Sequence, residues 1–200
     1  VETVFGNVPD DSFDEALELG AGDGFQSQFL ARCAKKVRST DLNEDRLIQE
    51  SHPKITYEIC DAENLPYESS RFDLVYSSNL LEHLPKAQRA LSGMRRVLAD
   101  DGVMVHVVPN RFWKLLHLVL FYPNVALSLA EILVSREKRK ALGMSESHGN
   151  NPKSGRPSFL RRNLWPVVHG ENPTHLTEFV QMGASYWECL FSEAGLNFVD

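Results

Sequence analysis

Apolar and polar positions in the first 110 residues follow two alternating periods, one typical of strands and one of helices. Short apolar or alternating runs predict five strands, at residues 15–19, 36–40, 55–59, 71–76 and 103–108. Between them, side chains recur at helical spacing, first as Phe25, Phe29, Leu30 and Cys33 and later as Leu91, Met94, Arg95 and Leu98. This order predicts an α/β fold, a doubly wound Rossmann-like and mostly parallel sheet flanked by helices.

Two short connections carry their own signals. Asn43 is predicted to cap a short helix that runs through Leu47 and Ile48. Asp100-Asp101-Gly102 is predicted to form a turn before the fifth strand.

The regular alternation stops at Arg111 and resumes only after about His169. The first half of this stretch is apolar and predicts two helices divided at Pro123-Asn124, whereas residues 143–155 are rich in Gly, Ser and Asn and predict a loop. A helix at 186–194 and a strand from Leu196 follow. We therefore predict one domain over residues 1–200, trimmed at both ends, with a helical lid insert at 111–169 after the fifth strand.

Composition supports a folded protein. The 200 residues are 42% hydrophobic and 24% charged, which suits a single globular core and argues against disorder. The opening residues show no signal-peptide pattern, so we expect the protein not to be secreted. Cys33, Cys60 and Cys189 are isolated, so we expect buried thiols in a reducing compartment, and the cytoplasm as the location.

Charge is distributed unevenly along the chain. The net charge is −6, yet Arg111 to His169 holds ten Lys and Arg against three Asp and Glu, a net charge of +7. The remainder of the chain therefore has a net charge of −13. An acidic body with a basic insert makes the insert a candidate surface for anionic partners.

The chemistry begins with Gly20-x-Gly22-x-Gly24, directly after the first strand. Glycines let the backbone turn sharply and approach a ligand closely. A dinucleotide site would instead show G-x-G-x-x-G around a pyrophosphate. Glu18 and Asp23 would repel a pyrophosphate but suit a ligand with an ammonium and a sulfonium, which favours S-adenosylmethionine over NAD.

Two further acids follow at the predicted carboxyl ends of strands. Asp41 lies 21 positions after Gly20, where the acid that holds a ribose is typically found, and Asp61 closes the third strand, where a carboxylate can accept the adenine amino group. Each alone is equally explained as a helix cap. Their order at the edge where open sheets bind ligands favours a shared nucleoside site.

These motifs resemble those of the class I S-adenosylmethionine-dependent methyltransferases, of the type 11 group that is similar to the quinone-biosynthesis enzymes. The residues that carry the resemblance are Glu18 to Gly24, Asp41, Cys60 to Pro66 and Phe72 to Leu84. Weaker likenesses lie at Arg96 to Leu98, at Asp101-Gly102 and at Phe191 to Val199. The resemblance covers roughly Phe13 to Asn110 and Thr174 to Asp200, and leaves the insert out.

The resemblance implies an enzyme and assigns its cofactor residues. Gly20, Ala21 and Gly22 would line the methionine part of S-adenosylmethionine, with Glu18 beside the loop. Asp41 and Leu42 would hold the ribose, and Asp61 and Ala62 the adenine. The sulfonium end would face Ser77, Ser78 and Asn79.

Two histidines are candidates for removing a proton from a hydroxyl acceptor. His83 follows the fourth strand, and His175 falls where related enzymes border the acceptor pocket. Both also have a structural interpretation, in a turn for Glu82-His83 and as a cap for His175. Some quinone O-methyltransferases hold a divalent metal here, but Asn79 stands where the first acid would, so we predict no metal site.

The acceptor is expected to be a small or lipid-linked metabolite, methylated on oxygen. The insert is interpreted as a lid over the acceptor pocket, and its apolar helices with Arg136, Lys138, Arg139, Lys140, Arg161 and Arg162 also suggest peripheral contact with a membrane. Nucleic acid is disfavoured, since no RNA-binding module is present. A non-catalytic scaffold, an RNA methyltransferase and an NAD-type oxidoreductase remain as alternatives, and the oligomeric state is unknown.

Overall fold

A computed structural model describes residues 2–46, 52–116, 119–123, 125 and 174–197. The chain divides into two compact units, Val1–Asn110 with His169–Asp200, and Arg111–Val168. The first contains the sheet. The second contains helical backbone at residues 111–116 and at residues 119–123.

Strands and helices alternate in the first unit. The strands are β1 Phe13–Leu19, β2 Ala34–Asp41, β3 Ile55–Ile59, β4 Phe72–Ser78 and β5 Leu98–Val107. The α-helices are α1 Glu2–Phe5, α2 Phe25–Cys33, α3 Ala87–Val97, α4 His175–Gln181 and α5 Ala184–Glu193. Short 3-10 helices lie at Glu44–Arg46 and Leu81–His83.

The five described strands form one parallel sheet in the order β3-β2-β1-β4-β5. The chain leaves β1 toward one edge and crosses back to β4, so the direction of winding reverses between β1 and β4. The carboxyl ends of all five strands therefore meet at one edge, with the reversal point beside β1. The predicted fold class is confirmed.

Both faces of the sheet are covered by apolar side chains. Leu17 and Leu19 of β1 pack on one face with α3 and α5, and Ala16 packs on the other with α2. Because successive strand residues point to opposite faces, β1 is buried on both sides, which explains its apolar centre.

Two side chains that were predicted to lie on the buried faces of the helices are exposed in the structure. Phe25 is exposed, because α2 turns Ser27, Leu30 and Ala31 toward the sheet instead. Arg95 is also exposed, whereas the buried residues of α3 are Ala90, Leu91, Met94 and Val97.

The predicted turn at residues 100–102 is wrong. These residues belong to β5, where the register is irregular: β4 advances from Phe72 to Leu74 while β5 advances from Leu98 to Val103. Glycine fits at position 102, because a Cβ there would lie 2.8 Å from a methyl carbon of Leu98 and 3.1 Å from the carbonyl oxygen of Asp73. The extra residues are accommodated as an irregularity within the strand.

The remaining local predictions have mixed outcomes. The Asn43 cap is confirmed, since the N–H of Asp45 donates to its side-chain oxygen at 3.0 Å. Cys33 and Cys60 are buried, but Cys189 is exposed, because it lies on the outer side of α5.

Several predictions fall on residues that the structure does not describe, namely Leu47, Ile48 and residues 126–173. Of the strand predicted from Leu196, only residues 196 and 197 are described, and they are not in a strand. Among the described residues, no helix is long and apolar enough to span a bilayer.

Candidate functional site

The loop after β1 turns tightly and is attached to the neighbouring strand. Gly20, Gly22 and Gly24 all have positive φ, at 73°, 56° and 73°. The N–H of Ala21 donates to the carbonyl of Thr40 at 2.9 Å, which ties the loop to the end of β2. The glycine loop therefore lies at the carboxyl edge of the sheet, beside the reversal point.

Each of the three glycines meets a different environment. A Cβ on Gly20 would lie 3.1 Å from a methyl carbon of Leu80, and one on Gly24 would lie 2.9 Å from the hydroxyl of Tyr57. A Cβ on Gly22 would meet nothing within 4 Å. Gly20 and Gly24 therefore leave room for neighbouring side chains of the protein, whereas Gly22 faces open space. Sequence reasoning missed Tyr57 and Leu80, because only the fold brings them to the loop.

Asp41 ends β2 and holds the glycine loop from the other side. Its Oδ2 accepts the N–H of Gly22 at 3.0 Å, and its Oδ1 accepts the N–H of Asn43 at 2.9 Å. An ionised carboxylate has about four acceptor positions, so two remain after these bonds. The side chain of Leu42, next along the chain, is 72% exposed.

The third acid lies next to Asp41. The N–H of Cys60 donates to the carbonyl of Asp41 at 3.0 Å, which joins the ends of β2 and β3. Asp61 follows, exposed, with its Oδ1 accepting the N–H of Glu63 at 2.9 Å, while Ala62 is buried. The structure thus brings Gly22, Asp41 and Asp61 together along one edge.

The end of β4 forms the opposite flank of this edge. Ser77 is buried, and its Oγ lies 2.7 Å from Nδ1 of His106 on β5. Burial lowers the pKa of His106 to about 4, so the imidazole is neutral near pH 7. Asn79 is exposed with φ of 50°, and its N–H donates to the carbonyl of Val107 at 2.9 Å. His106 is partly exposed, and its Nδ1 fixes the hydroxyl of Ser77.

Glu18 is buried beneath the loop. Its Oε2 accepts hydrogen bonds from the hydroxyls of Ser27 on α2 and Ser39 on β2. Burial raises the pKa of Glu18, and the two hydroxyls oppose that shift. The carboxylate therefore joins β1, β2 and α2 from within the protein, a role that the spacing of Ser27 and Ser39 in the sequence does not reveal.

A cavity of about 300 Å³ lies just beyond the end of β4. It is lined by the 3-10 helix and the start of α3 on one side and by α4 and α5 on the other, including Leu81, Glu82, Gln88, Met182, Tyr186 and Trp187. Three of these residues carry a buried polar atom with no hydrogen-bond partner in the described part of the chain: Glu82 Oε2, Gln88 Oε1 and Trp187 Nε1. Each such atom costs about 1–3 kcal/mol unless a partner reaches it.

The two candidate bases lie near this cavity or on its lining helices. His83 is half exposed, and its Nε2 lies 3.9 Å from Oε1 of Glu82, whose pKa is raised by burial. His175 begins α4, the helix whose last residue, Gln181, lines the cavity; the side chain of His175 is not among the described ones. No group of three metal-ligating side chains is found in the described ranges.

Comparisons with known proteins agree with this geometry. A family profile described as "Methyltransferase domain" matches residues 17–106. Residues 17–106 therefore match the methyltransferase-domain family. This confirms the predicted family and S-adenosylmethionine as the cofactor of that family, and places the domain among enzymes.

Individual relatives cover only part of their own length. A ubiquinone biosynthesis O-methyltransferase of Coxiella burnetii is 29% identical over 104 residues, which are 49% of this chain and 44% of the relative. A human mitochondrial arginine hydroxylase is 34% identical over 97 residues, 47% of this chain and 28% of the relative. Other matches are named as probable S-adenosylmethionine-dependent methyltransferases. The matched stretch thus spans less than half of each of these relatives.

Solved structures show the same fold. A candidate methyltransferase of Bacillus halodurans superposes with a TM-score of 0.50 at 25% identity, covering 62% of this chain and 56% of that one. Three features of the glycine loop and its neighbours are compatible with a nucleoside ligand such as S-adenosylmethionine. Gly22 leaves space that a Cβ would fill, Asp41 keeps free acceptor positions for hydroxyls, and Leu42 presents an exposed apolar side chain beside them.

The open space at Gly22 predicts a selective effect of substitution. In Gly22→Ala the new Cβ would occupy that space, so we expect S-adenosylmethionine affinity to fall about tenfold or more, or about 1.4 kcal/mol. Titration calorimetry measures it. Gly195→Ala is the matched control, because Gly195 also has φ of 73° with nothing within 4 Å of its Cβ, yet lies in the turn after α5. Both variants carry the same backbone strain of about 1–2 kcal/mol; equal affinities would contradict the prediction.

The buried carboxylate predicts a pH dependence of stability. Because burial raises the pKa of Glu18 above its ordinary value of 4.5, folding favours the protonated form. Relative to Glu18→Gln, the free energy of unfolding of the wild type should fall as pH rises from 4.5 through the folded-state pKa, then level off. Urea denaturation across this range tests it, with the exposed Glu68→Gln as control. A difference that is constant or that rises with pH would refute the assignment.

Proposed function

We propose that this protein transfers a methyl group from S-adenosylmethionine to an oxygen of a small or lipid-linked metabolite. The observation that carries the proposal is the glycine loop, held between the Thr40 carbonyl and the Asp41 carboxylate and open at Gly22. Acids suit the hydroxyls and amino group of a nucleoside and the positive charge of a sulfonium. A pyrophosphate would meet repulsion at the same place.

Each part of the cofactor has a proposed set of residues. Gly20, Ala21 and Gly22 would face the methionine part. The ribose hydroxyls would donate to Asp41, with Leu42 against the ring system. The adenine would be held by Asp61 and Ala62, and the sulfonium end by Ser77, Ser78 and Asn79, of which Ser77 is buried and acts through its backbone.

The acceptor is proposed to enter the cavity lined by Glu82 and Trp187. Its volume lies at the lower end of the range for small-molecule pockets, and polar and apolar atoms contribute about equally to its lining. The lining residues Glu82, Gln88 and Trp187 carry two buried acceptors and one buried donor without a partner in the described part of the chain. We propose that these groups turn toward a bound molecule that carries both apolar surface and hydroxyl groups.

When bound, S-adenosylmethionine supplies the methyl group, whose carbon–sulfur bond breaks with its electron pair left on sulfur as the acceptor oxygen forms the new bond. The protein contributes alignment of the two reactants, which accounts for most of the acceleration in such displacements. His83 is proposed to take the hydroxyl proton, since its half-exposed ring can pass that proton on to water. His175 remains a second candidate.

Two observations support methylation of oxygen. The Coxiella relative is named an O-methyltransferase, and the cavity has polar lining residues that suit a molecule with hydroxyl groups. The human relative, named as a hydroxylase, makes hydroxylation the second outcome to test. A scaffold without activity is opposed by the intact constellation of Gly22, Asp41 and Asp61. A location in the cytoplasm remains a prediction.

Transfer of labelled methyl groups tests the proposed reaction. The full chain, incubated with methyl-labelled S-adenosylmethionine and separate metabolite, lipid and RNA fractions, should label a metabolite or lipid and release S-adenosylhomocysteine. In Asp41→Ala, the loss of charge-assisted hydrogen bonds should weaken cofactor binding by about tenfold to a hundredfold. Asp45→Ala, in the exposed 3-10 helix, is the control.

Three results would overturn the proposal. Calorimetric binding of NAD without S-adenosylmethionine would indicate an oxidoreductase. Label in RNA alone would indicate an RNA methyltransferase, and an oxygenated product without methyl transfer would indicate a hydroxylase.

Replacement of His83 separates proton transfer from binding. With the acceptor identified by labelling, His83→Ala should lower kcat by about a hundredfold while S-adenosylmethionine affinity changes little. His52→Ala is the control, because His52 precedes β3 at the opposite edge of the sheet. An unchanged kcat in His83→Ala would remove the proposed role.

A further inference from the structure

Helix α3 begins without a cap from its own N-cap residue. That residue is Lys86, whose side chain makes no capping hydrogen bond. In a capping box, a Glu or Gln at the third helical position would accept the backbone N–H of the N-cap residue. The third position of α3 is Arg89, whose side chain has no acceptor. The start of α3 therefore has no capping box within its own sequence.

A carboxylate from the connection between β3 and β4 takes the place of the missing one. Oε1 of Glu63 accepts the N–H of Lys86 at 2.7 Å, across 23 positions of the chain. The bond is charge-assisted, and a negative charge at the N-terminus of a helix is favourable, because the first N–H groups point toward it. The start of α3 is therefore held by a residue from outside the helix.

Glu63 is in turn fixed by Asp61, the residue proposed to hold the adenine. The N–H of Glu63 donates to Oδ1 of Asp61 at 2.9 Å, and the N–H of Asn64 donates to the carbonyl oxygen of Asp61 at 2.9 Å. Asp61 is exposed, and about three of the roughly four acceptor positions of its carboxylate remain. A ligand amino group that donates to this carboxylate would therefore also order the turn that carries Glu63.

The far end of α3 is attached to the same connection by different means. Arg96 donates to the carbonyl oxygen of Tyr67 at 2.6 Å and to that of Leu65 at 2.9 Å. Leu65 and Tyr67 are buried in one core cluster with Leu91 and Met94 of α3. The body of α3 is thus fixed by packing and by Arg96, whereas its start depends on the contact with Glu63.

The start of α3 also forms one wall of the cavity proposed for the acceptor, through Lys86, Ala87 and Gln88. Gln88 is half-buried, and its Oε1 has no hydrogen-bond partner in the part of the chain that the structure describes. A shift of the first turn of α3 would move the amide of Gln88. The shape and the polarity of this wall therefore depend on how firmly the first turn is held.

We propose that Glu63 is a positioning residue that couples the adenine site to the acceptor cavity. When Asp61 holds the adenine, the turn at residues 61–64 is ordered, Glu63 holds the N–H of Lys86, and the wall at Gln88 stays in one position. Because coupling between two sites is reciprocal, an acceptor in the cavity also strengthens cofactor binding. The inference rests on the proposed function, since it uses the proposed positions of adenine and acceptor.

Hydrogen exchange of single amides tests the coupling without an acceptor. The N–H groups of Arg89 and Ala90 donate to the carbonyl oxygen of Lys86 at 2.9 and 3.1 Å, so their exchange rates report opening of the first turn of α3. In the wild type, saturation with S-adenosylmethionine, verified by calorimetry, should slow both rates about fivefold or more. 5′-Methylthioadenosine, which carries the adenine without the amino acid part, should slow them as well.

Replacement of Glu63 separates positioning from stability. At saturating cofactor, Glu63→Ala should show no slowing at Arg89 and Ala90, although it binds S-adenosylmethionine. A merely structural role would raise both rates with and without cofactor and leave their ratio unchanged. Glu63→Gln keeps a side-chain oxygen that can accept the N–H of Lys86, so it should restore the slowing. Glu68→Ala, an exposed position of the same connection, is the matched control and should behave as the wild type.

The outcomes distinguish the coupling from the proposed function. Three results would overturn the coupling alone: a wild type that binds S-adenosylmethionine without slower exchange, a Glu63→Ala variant that keeps the wild-type ratio, or a Glu63→Gln variant that does not restore it. Slowing by S-adenosylmethionine but not by 5′-methylthioadenosine would also overturn it, because the effect would not begin at the adenine. Failure of labelled methyl transfer while the exchange effects persist would overturn the proposed function instead.

Discussion

Two backbone hydrogen bonds at the carboxyl edge of the sheet determine the rest of the site. The N–H of Ala21 donates to Thr40, and the N–H of Cys60 donates to Asp41. These two bonds extend the parallel hydrogen-bond pairing of β1, β2 and β3 just past the carboxyl ends of β1 and β3. Because the pairing continues there, a glycine loop and two acids from distant parts of the chain lie side by side. Asp41 then closes the arrangement by accepting the N–H of Gly22.

The same region contains the buried carboxyl group of Glu18, whose loss of hydration is unfavourable and whose hydrogen bonds keep the loop in place. A buried carboxylate is unfavourable unless hydrogen bonds compensate for the lost hydration, and Glu18 receives two, from Ser27 and Ser39. These bonds fix the first turn of α2 relative to β1 and β2. The loop between β1 and α2 is therefore held at both of its ends. Glu18 is fully enclosed below the loop, whereas Asp41 beside it keeps a small accessible surface and Asp61 is exposed, although all three are acidic residues at or near strand ends in the sequence.

The two units of the chain differ in how far their apolar side chains are buried. In the first unit, the sheet buries apolar side chains on both faces, and exposed apolar residues are scattered. In the described part of the second unit, Phe112, Leu115 and Leu116 are exposed while Lys114 is buried. The insert follows β5, whose carboxyl end lies at the same edge of the sheet as the glycine loop.

The sequence by itself determined the order of strands and helices, the glycine loop, and the positions of Asp41 and Asp61. These depend on local signals, namely the strand and helix periods and the positive φ that glycine permits. Only the tertiary structure showed that Gly22 faces open space while Gly20 and Gly24 meet Leu80 and Tyr57, since those neighbours are distant in sequence. It also showed that residues 100–102 belong to β5 and that Phe25 and Cys189 are exposed. Periodicity predicts that a face exists, but which side it turns depends on what the rest of the fold packs against it.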